Sequence, residues 1–373
     1  MAKSAYIHIP FCAYKCDFCD FAAFAGVDQL AAQYCSVVAD EISQRLSKQP
    51  NDERLSSVFF GGGTPGYIDP EQLAVVFSAL KQTVGLEKNA EISLETTPHS
   101  ISADKAKRWL DMGINRLSVG VQSFIDEELL AAGRDHTSAQ ALAGIDKARQ
   151  AGFENISLDL MYGLPTQTDE SWKKSLSQAL SLGLPHMSAY GLSIAANSPL
   201  LLRHPRDSSV YPDEESFVHM YETLIEMCSQ FGLEQYEISN FSAAGFQSRH
   251  NLTYWCNEEY LAFGVSAHRY VNGARSSNFR ALMRYMRDYL ADESCEIIDE
   301  QTRAKEAIML GLRMRKGLNL SRFQQEHGIS LEELISANKP LLLQEGFLLI
   351  DDGWLRLSQK GVLVSNTVLA ELI

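Results

Sequence analysis

Ala5-Tyr6-Ile7-His8-Ile9-Pro10-Phe11-Cys12-Ala13-Tyr14-Lys15-Cys16-Asp17-Phe18-Cys19 is the stretch that decides the reading of this chain. Its first part is a short strand-like run, and Pro10 marks where that strand gives way to a loop. The loop carries three cysteines in the spacing C-x3-C-x2-C. Three thiolates hold three corners of a cubane iron–sulfur cluster, whereas full protein ligation takes four. A trio therefore leaves one iron open to a ligand. A structural zinc site is the alternative reading; it would need a fourth ligand, for which His8 is near in sequence, although the spacing is not a usual zinc spacing.

The chain repeats the strand-then-loop pattern. Apolar runs at 5–9, 56–60, 90–95, 115–119, 155–160, 186–192 and 234–238 read as strands. Amphipathic stretches at 29–46, 70–83, 103–112, 138–151, 170–181 and 214–231 read as helices. Repeated strand–helix units predict an α/β fold with a parallel sheet. About six units suit a partial (β/α)6 barrel, with its site at the C-terminal ends of the strands. The expected organisation is residues 1–240 as the barrel, 241–280 as an extension, and 281–373 as a small C-terminal winged-helix-like domain. That last region predicts helices at 280–291, 300–315, 320–327, 331–345 and 360–372, and a hairpin at 347–357 turning at Asp351-Asp352-Gly353.

Composition narrows the function. The net charge of −14 over 373 residues argues against nucleic acid as a partner, and the winged-helix-like segment carries no basic stripe. No apolar run approaches the roughly 18 residues that span a bilayer, and the N-terminus has no signal-peptide pattern, so a cytoplasmic location is expected. Of seven cysteines, Cys35, Cys228, Cys256 and Cys295 are scattered and read as free thiols.

Each chemical motif follows an expected strand. Gly61-Gly62-Gly63-Thr64-Pro65 lets backbone approach a ligand closely, but it is not a phosphate loop, because no Lys-Ser/Thr follows. Glu95 closes the third strand, and a buried strand-end carboxylate needs a partner such as a cation or a hydroxylated sugar. Gln122 and Arg134 follow the fourth strand, the latter offering a planar fork for a carboxylate. Asp159 ends the fifth. Arg249-His250-Asn251-Leu252-Thr253-Tyr254-Trp255 places an imidazole beside two aromatic rings.

Together these runs, with Tyr236–Phe241 and Gly311-Leu312-Arg313, resemble the oxygen-independent coproporphyrinogen III oxidase-like branch of radical S-adenosylmethionine (SAM) proteins. Within it the chain is most similar to the haem-chaperone group. The resemblance implies a [4Fe–4S] cluster on Cys12, Cys16 and Cys19, with SAM on the open iron. It further implies SAM contacts from Tyr6, Phe18, Gly62, Gly63, Thr64, Glu95, Gln122, Arg134 and Asp159. Haem is the third implied cofactor, bound through the HNxxYW signature at His250, Tyr254 and Trp255, with His268 as a second candidate ligand.

Two features separate the chaperones from the oxidases. The oxidases carry a further cysteine two residues after the trio, where this chain has Phe21. They also carry a long covering segment ahead of the cluster, with no counterpart in the eleven residues before Cys12. One departure from the chaperone pattern is Ala195-Ala196, where an acid is common. The implied function is haem binding and delivery to haem-accepting respiratory proteins, so the chain is read as a chaperone more than an enzyme. Oxidative decarboxylation of coproporphyrinogen III by a 5′-deoxyadenosyl radical is the alternative, and a related radical methyltransferase the third reading. An electron donor for the cluster, peripheral contact with membrane respiratory complexes and a homodimer are further implied partners.

Overall fold

The computed structural model describes residues 2–47, 54–196, 198–335 and 339–373. Six strands build its centre: β1 (Ser4–Ile9), β2 (Leu55–Gly62), β3 (Leu86–Thr96), β4 (Arg116–Gln122), β5 (Asn155–Tyr162) and β6 (His186–Gly191). They lie side by side in chain order, and every neighbouring pair is parallel. Right-handed crossovers between parallel neighbours taken in order put all the helices on one face of such a sheet. The opposite face is left for a site.

The residue alternation along each strand matches that division. Ala5, Ile7 and Ile9 of β1, Val58 and Phe60 of β2, and Ile92 and Leu94 of β3 are buried in the core with Tyr34 and Val38 of the helix Ala31–Leu46 and Val76 and Phe77 of the helix Pro70–Thr83. The residues in the other phase are largely polar: Ser4, His8, Ser57, Glu91, Ser93, Arg116, Ser118, Ser157 and His186 are all buried. A polar interior face is costly unless it is internally bonded or serves a ligand.

The helices at 70–83, 103–112 and 138–151 have the predicted ends. Asp69, Ser102 and Thr137 cap them, each side chain accepting a hydrogen bond from a first-turn N–H. The strand expected at 234–238 forms as Glu234–Glu237, and the sheet also extends beyond the expected strands: Leu261–Phe263 pairs in parallel outside β1, and Asn240–Ser242 lies antiparallel between β6 and Glu234–Glu237. Both ends of this nine-stranded sheet remain edges, so the barrel is open. The 241–280 stretch is thus partly built into the sheet edge.

The C-terminal region departs more from expectation. The helix expected at 280–291 runs only over Leu282–Arg287, because Arg45 Nη2 takes the Tyr289 carbonyl (3.1 Å) and Asp292 Oδ1 (3.0 Å) and draws the chain off the helical path. Ser294–Ile297 then becomes a strand beside Ala274–Ser277 and His268–Val271. The helix expected at 300–315 ends at Gly311, since the Arg315 N–H is claimed by the Tyr236 carbonyl (3.0 Å). The expected 331–345 helix is interrupted. Leu331–Leu334 and Lys339–Gln344 are separate helices, Pro340 sits in the first turn of the second where a proline is tolerated, and 336–338 lie outside the described residues. The hairpin forms from Leu348–Asp351 and Trp354–Leu357, joined by Leu318–Asn319 into a three-stranded sheet. The last helix is two, Gln359–Leu363 and Ser365–Leu372, broken at Val364.

Candidate cluster, SAM and haem site

The cysteine loop leaves the end of β1. Phe11–Cys12 pairs with Phe24–Ala25, Phe24 N–H donates to the Pro10 carbonyl (2.7 Å), and the loop between them is closed at its base. Phe11 is buried edge-on against Tyr34 at 5.3 Å, which anchors the base to the first helix. Within the loop, Cys19 N–H donates to the Cys16 carbonyl (3.1 Å), and Asp17 forms an ion pair with Arg203. All three thiols are partly exposed. Cys12 Sγ lies 3.5 Å from Thr64 Oγ1, and Arg134 Nη1 donates to Cys16 Sγ at 3.0 Å.

These sulfurs suit a cluster better than one zinc ion. A tetrahedral zinc with bonds of ~2.3 Å needs its sulfurs about 3.8 Å apart. Among the described residues the trio does not fall within 4.8 Å of one another. His8 offers no fourth ligand either: its ring is spent on Tyr6 Oη (3.1 Å) and the Ala22 carbonyl (3.0 Å). Burial pushes the Cys12 thiol up to about 11, so loading iron must displace protons. The Arg134 guanidinium beside Cys16 matches the negative charge that thiolates would then carry.

The glycine loop follows β2 and is fixed by its surroundings. Its N–H groups are occupied: Gly62 donates to Glu95 Oε2 (3.0 Å), Gly63 to the Ile9 carbonyl (2.9 Å) and Thr64 to the Phe11 carbonyl (2.9 Å). This loop can therefore offer a ligand acceptors, which fit an ammonium, but not those donors. Gly62 has φ +113°, and a Cβ there would lie 2.5 Å from the His8 ring; at Gly63 it would lie 2.7 Å from the Pro10 carbonyl carbon. Because the second obstacle is backbone, Gly63→Ala is expected to destabilise the protein by about 1–3 kcal/mol, read as a lower urea midpoint, and to misplace Cys12.

Glu95 stands at the end of β3 with Gly62 on one side and the Asp159 carboxylate nearby. Burial, with Asp159 adding to it, pushes the Glu95 carboxyl up to about 7. Asp159 accepts from Ser118 Oγ (2.9 Å) and Ser157 Oγ (3.3 Å), and burial raises its carboxyl too. Two acids held this way favour a cationic ligand between them. Gln122 sits at a register shift in β4 with φ +71°, a conformation that costs a non-glycine residue and recurs at ligand sites. Arg134 Nη2 donates to the Gly120 carbonyl (2.5 Å), tying the same strand end to the cluster loop. Phe18 packs with Met161, at the end of β5, and with Leu164 just past it. Tyr6, Phe18, the glycine loop, Glu95, Gln122, Arg134 and Asp159 thus ring one mouth.

Arg116 was not among the expected site residues. It is 1 % exposed in the interior, its Nε has no partner among the described residues, and its charge acts on both Glu95 and Asp159. Its signal was phase: Arg116, Ser118 and Gly120 alternate with Leu117, Val119 and Val121, which marks the first set as the face opposite the helices.

The HNxxYW segment forms the helix Arg249–Trp255. Glu91 accepts from the N–H groups of Arg249 (3.0 Å) and His250 (3.1 Å), holding its first turn to β3. His250 is 1 % exposed, with Nδ1 3.0 Å from Ser57 Oγ, Nε2 2.8 Å from Tyr254 Oη, and Phe59 stacked on its ring. Burial first and Arg116 second lower its pKa to about 3, so the ring is neutral. As placed, neither nitrogen of His250 is free for iron. The helix separates two cavities. Tyr254 faces one of about 330 Å³ with Tyr6, His8, Phe21 and His268, while Trp255 and Leu252 face another of about 840 Å³ on the other side. Ala195 and Ala196 lie in the turn before the short helix Pro199–Arg203, and Ala196 is exposed.

An open six-stranded parallel barrel with a cysteine trio after its first strand and a glycine loop after its second defines a radical SAM protein. Residues 6–179 match the radical SAM superfamily and 298–364 the HemN C-terminal domain. The chain belongs to the HemW family. It is 35 % identical to the heme chaperone HemW of Bacillus subtilis over 98 % of both chains, and 32 % identical to that of Lactococcus lactis over 100 % of this chain and 97 % of the other. It is also 33 % identical to the bovine mitochondrial radical S-adenosyl methionine domain-containing protein 1, over 99 % of this chain and 86 % of the relative. In fold it matches the coproporphyrinogen III oxidase HemN of Escherichia coli, with a TM-score of 0.87, 23 % identity, and coverage of 98 % and 89 %.

Proposed function

We propose that the protein is a haem chaperone: it carries a [4Fe–4S] cluster on Cys12, Cys16 and Cys19, binds SAM at the barrel mouth, and holds haem beside the HNxxYW helix for delivery to acceptor haem proteins. The observation that carries this is the helix itself, which joins the cluster side of the barrel to two cavities lined by its own aromatic residues. Phe21, where the oxidases have a further cysteine, is 68 % exposed beside one of them, as befits a surface that meets an apolar ligand or partner.

Residues 1–240 are assigned to the barrel with its cluster and SAM site, 241–280 to the haem-site extension and 281–373 to the C-terminal domain. We place the protein in the cytoplasm; among the described residues no helix is long and apolar enough to cross a membrane. Its acceptors are respiratory haem proteins, met by peripheral contact with membrane complexes, and the cluster takes its electron from a separate donor. A homodimer is the form in which the cluster could gate delivery. Anaerobic haem titration of the reconstituted protein tests the reading: a stoichiometric Soret change is expected, and its absence would overturn it.

A further inference from the structure

We propose that haem sits in the larger cavity, between the HNxxYW helix and the C-terminal region, with His327 as the axial ligand and Arg315 and Lys316 facing the propionates. This rests on the chaperone reading and deepens it.

Size and shape come first. The cavity of about 840 Å³ lies in the upper part of the range for ligand sites, whereas the one beside His268, at about 330 Å³, lies at the bottom. Trp255 walls the larger cavity from the barrel side, and Phe323 and Trp354 wall it from the C-terminal region. Facing aromatic walls suit a flat macrocycle.

The ligand set is the second argument. His327 lies at the end of the helix Leu320–His327, its ring 4.5 Å from that of Phe323, and partly exposed to the cavity. It has no side-chain hydrogen bond among the described residues, in contrast to His250. Burial and Arg303 lower its pKa, keeping the ring in the neutral form that binds metal. Cys256 also lines the cavity, but burial raises its thiol pKa, which disfavours the thiolate.

The third argument is unspent polar groups. Among the described residues Arg315 Nη1 and Trp255 Nε1 are buried with no hydrogen-bond partner, Arg315 Nη2 reaching Gln359 Oε1 at 3.4 Å, and both residues line the cavity. A guanidinium and an indole N–H both call for an acceptor, and a carboxylate supplies one. Lys316 Nζ lies 4.5 Å from the Trp354 ring centroid, again on the wall. Arg322 is tied to Glu326 (2.7 Å), Arg303 Nη2 donates to the Glu326 carbonyl (3.3 Å), and Glu234, Glu258 and Glu259 add negative charge, which leaves Arg315 and Lys316 as the lining cations best placed to receive propionates.

The test is an anaerobic titration of the full reconstituted chain with hemin and with hemin dimethyl ester, comparing wild type with His327→Gly, His268→Ala and Ala307→Trp. For His327→Gly a moved Soret band and at least about tenfold weaker binding are expected, with added imidazole restoring the wild-type spectrum. Ala307→Trp, which narrows the cavity and leaves His327 in place, should weaken binding as well. The ester should bind more weakly than hemin to wild type, and His268→Ala should bind as wild type does. Stoichiometric binding with an unchanged spectrum in His327→Gly overturns the inference while leaving the chaperone reading standing. A shift confined to His268→Ala moves haem to the smaller cavity. If wild type binds no hemin, both fall.

Discussion

Cys16→Ser abolishes the cluster: anaerobically reconstituted protein is expected to lose its iron and acid-labile sulfide together. Cys16 is the thiol that Arg134 addresses directly, at 3.0 Å, and it lies between the other two in the loop. Two thiols cannot hold a cubane whose fourth corner must stay open for a substrate, and a serine hydroxyl remains protonated where a thiol would ionise. The loss should exceed the roughly 10- to 100-fold that removing an outer-shell partner costs a metal site. Cys295→Ser is the control, because that thiol is exposed on a strand well along the chain and should leave metal content unchanged. Sulfide-free zinc retained by wild type at one ion per chain would contradict the assignment. Circular dichroism separates loss of metal from loss of fold, since the polar interior of the barrel is bonded mostly within itself, with His8 to Ala22 as its tie to the loop.

The second large effect is on SAM. Glu95→Gln should weaken SAM binding about 10- to 100-fold, the scale of one hydrogen bond to a charged group. The change preserves size and leaves an oxygen to accept from Gly62 N–H, so the effect reports charge. Its pH dependence follows from the raised carboxyl. In the free protein Glu95 titrates near 7, above its ordinary 4.5, because burial and the nearby Asp159 disfavour the charge. A sulfonium ligand prefers the carboxylate, so wild-type affinity should rise with pH up to about 7, by at most about tenfold per unit, and level off above. Glu95's own contribution to the stability of the ligand-free protein runs the other way. A raised carboxyl contributes fully below about 4.5, and the contribution is lost as pH rises through about 7. Glu95→Gln should remove that contribution; the raised carboxyls of Asp159, Glu41 and Glu237 act in the same sense, and the buried His8, His136, His186 and His250, whose pKa values burial lowers, act in the opposite one. Isothermal titration with SAM across pH 5.5–8 reads the affinity and urea denaturation the stability; an affinity slope unaltered by the substitution would remove Glu95 from the SAM site.

How far the sequence carried is visible in particular residues. The barrel was legible because short apolar runs recur between amphipathic stretches along the chain; that Asp69, Ser102 and Thr137 cap three of the helices is seen in the structure. The cluster loop and glycine loop were legible because cysteine spacing and glycine runs have few physical uses. What escaped depended on contacts distant along the chain. Arg45 reaches 244 residues forward to take the Tyr289 carbonyl, and nothing near Tyr289 signals that its helix will stop. Leu261–Phe263 is too short to call a strand until β1 is beside it. His250 shows the same limit in the site. Its motif is conspicuous, but only the fold reveals that Ser57, 193 residues away, and Tyr254 occupy both its nitrogens.

The central claim is that this radical SAM scaffold holds haem and gives it up. The direct measurement is transfer: the reconstituted protein is loaded with one haem, separated from free haem, and mixed anaerobically with a b-type acceptor apoprotein while the acceptor's Soret band is followed. The account predicts that the acceptor gains its native spectrum as the donor loses haem. It would be contradicted if haem stayed behind or never bound, and if the same preparation instead turned coproporphyrinogen III and SAM into protoporphyrinogen.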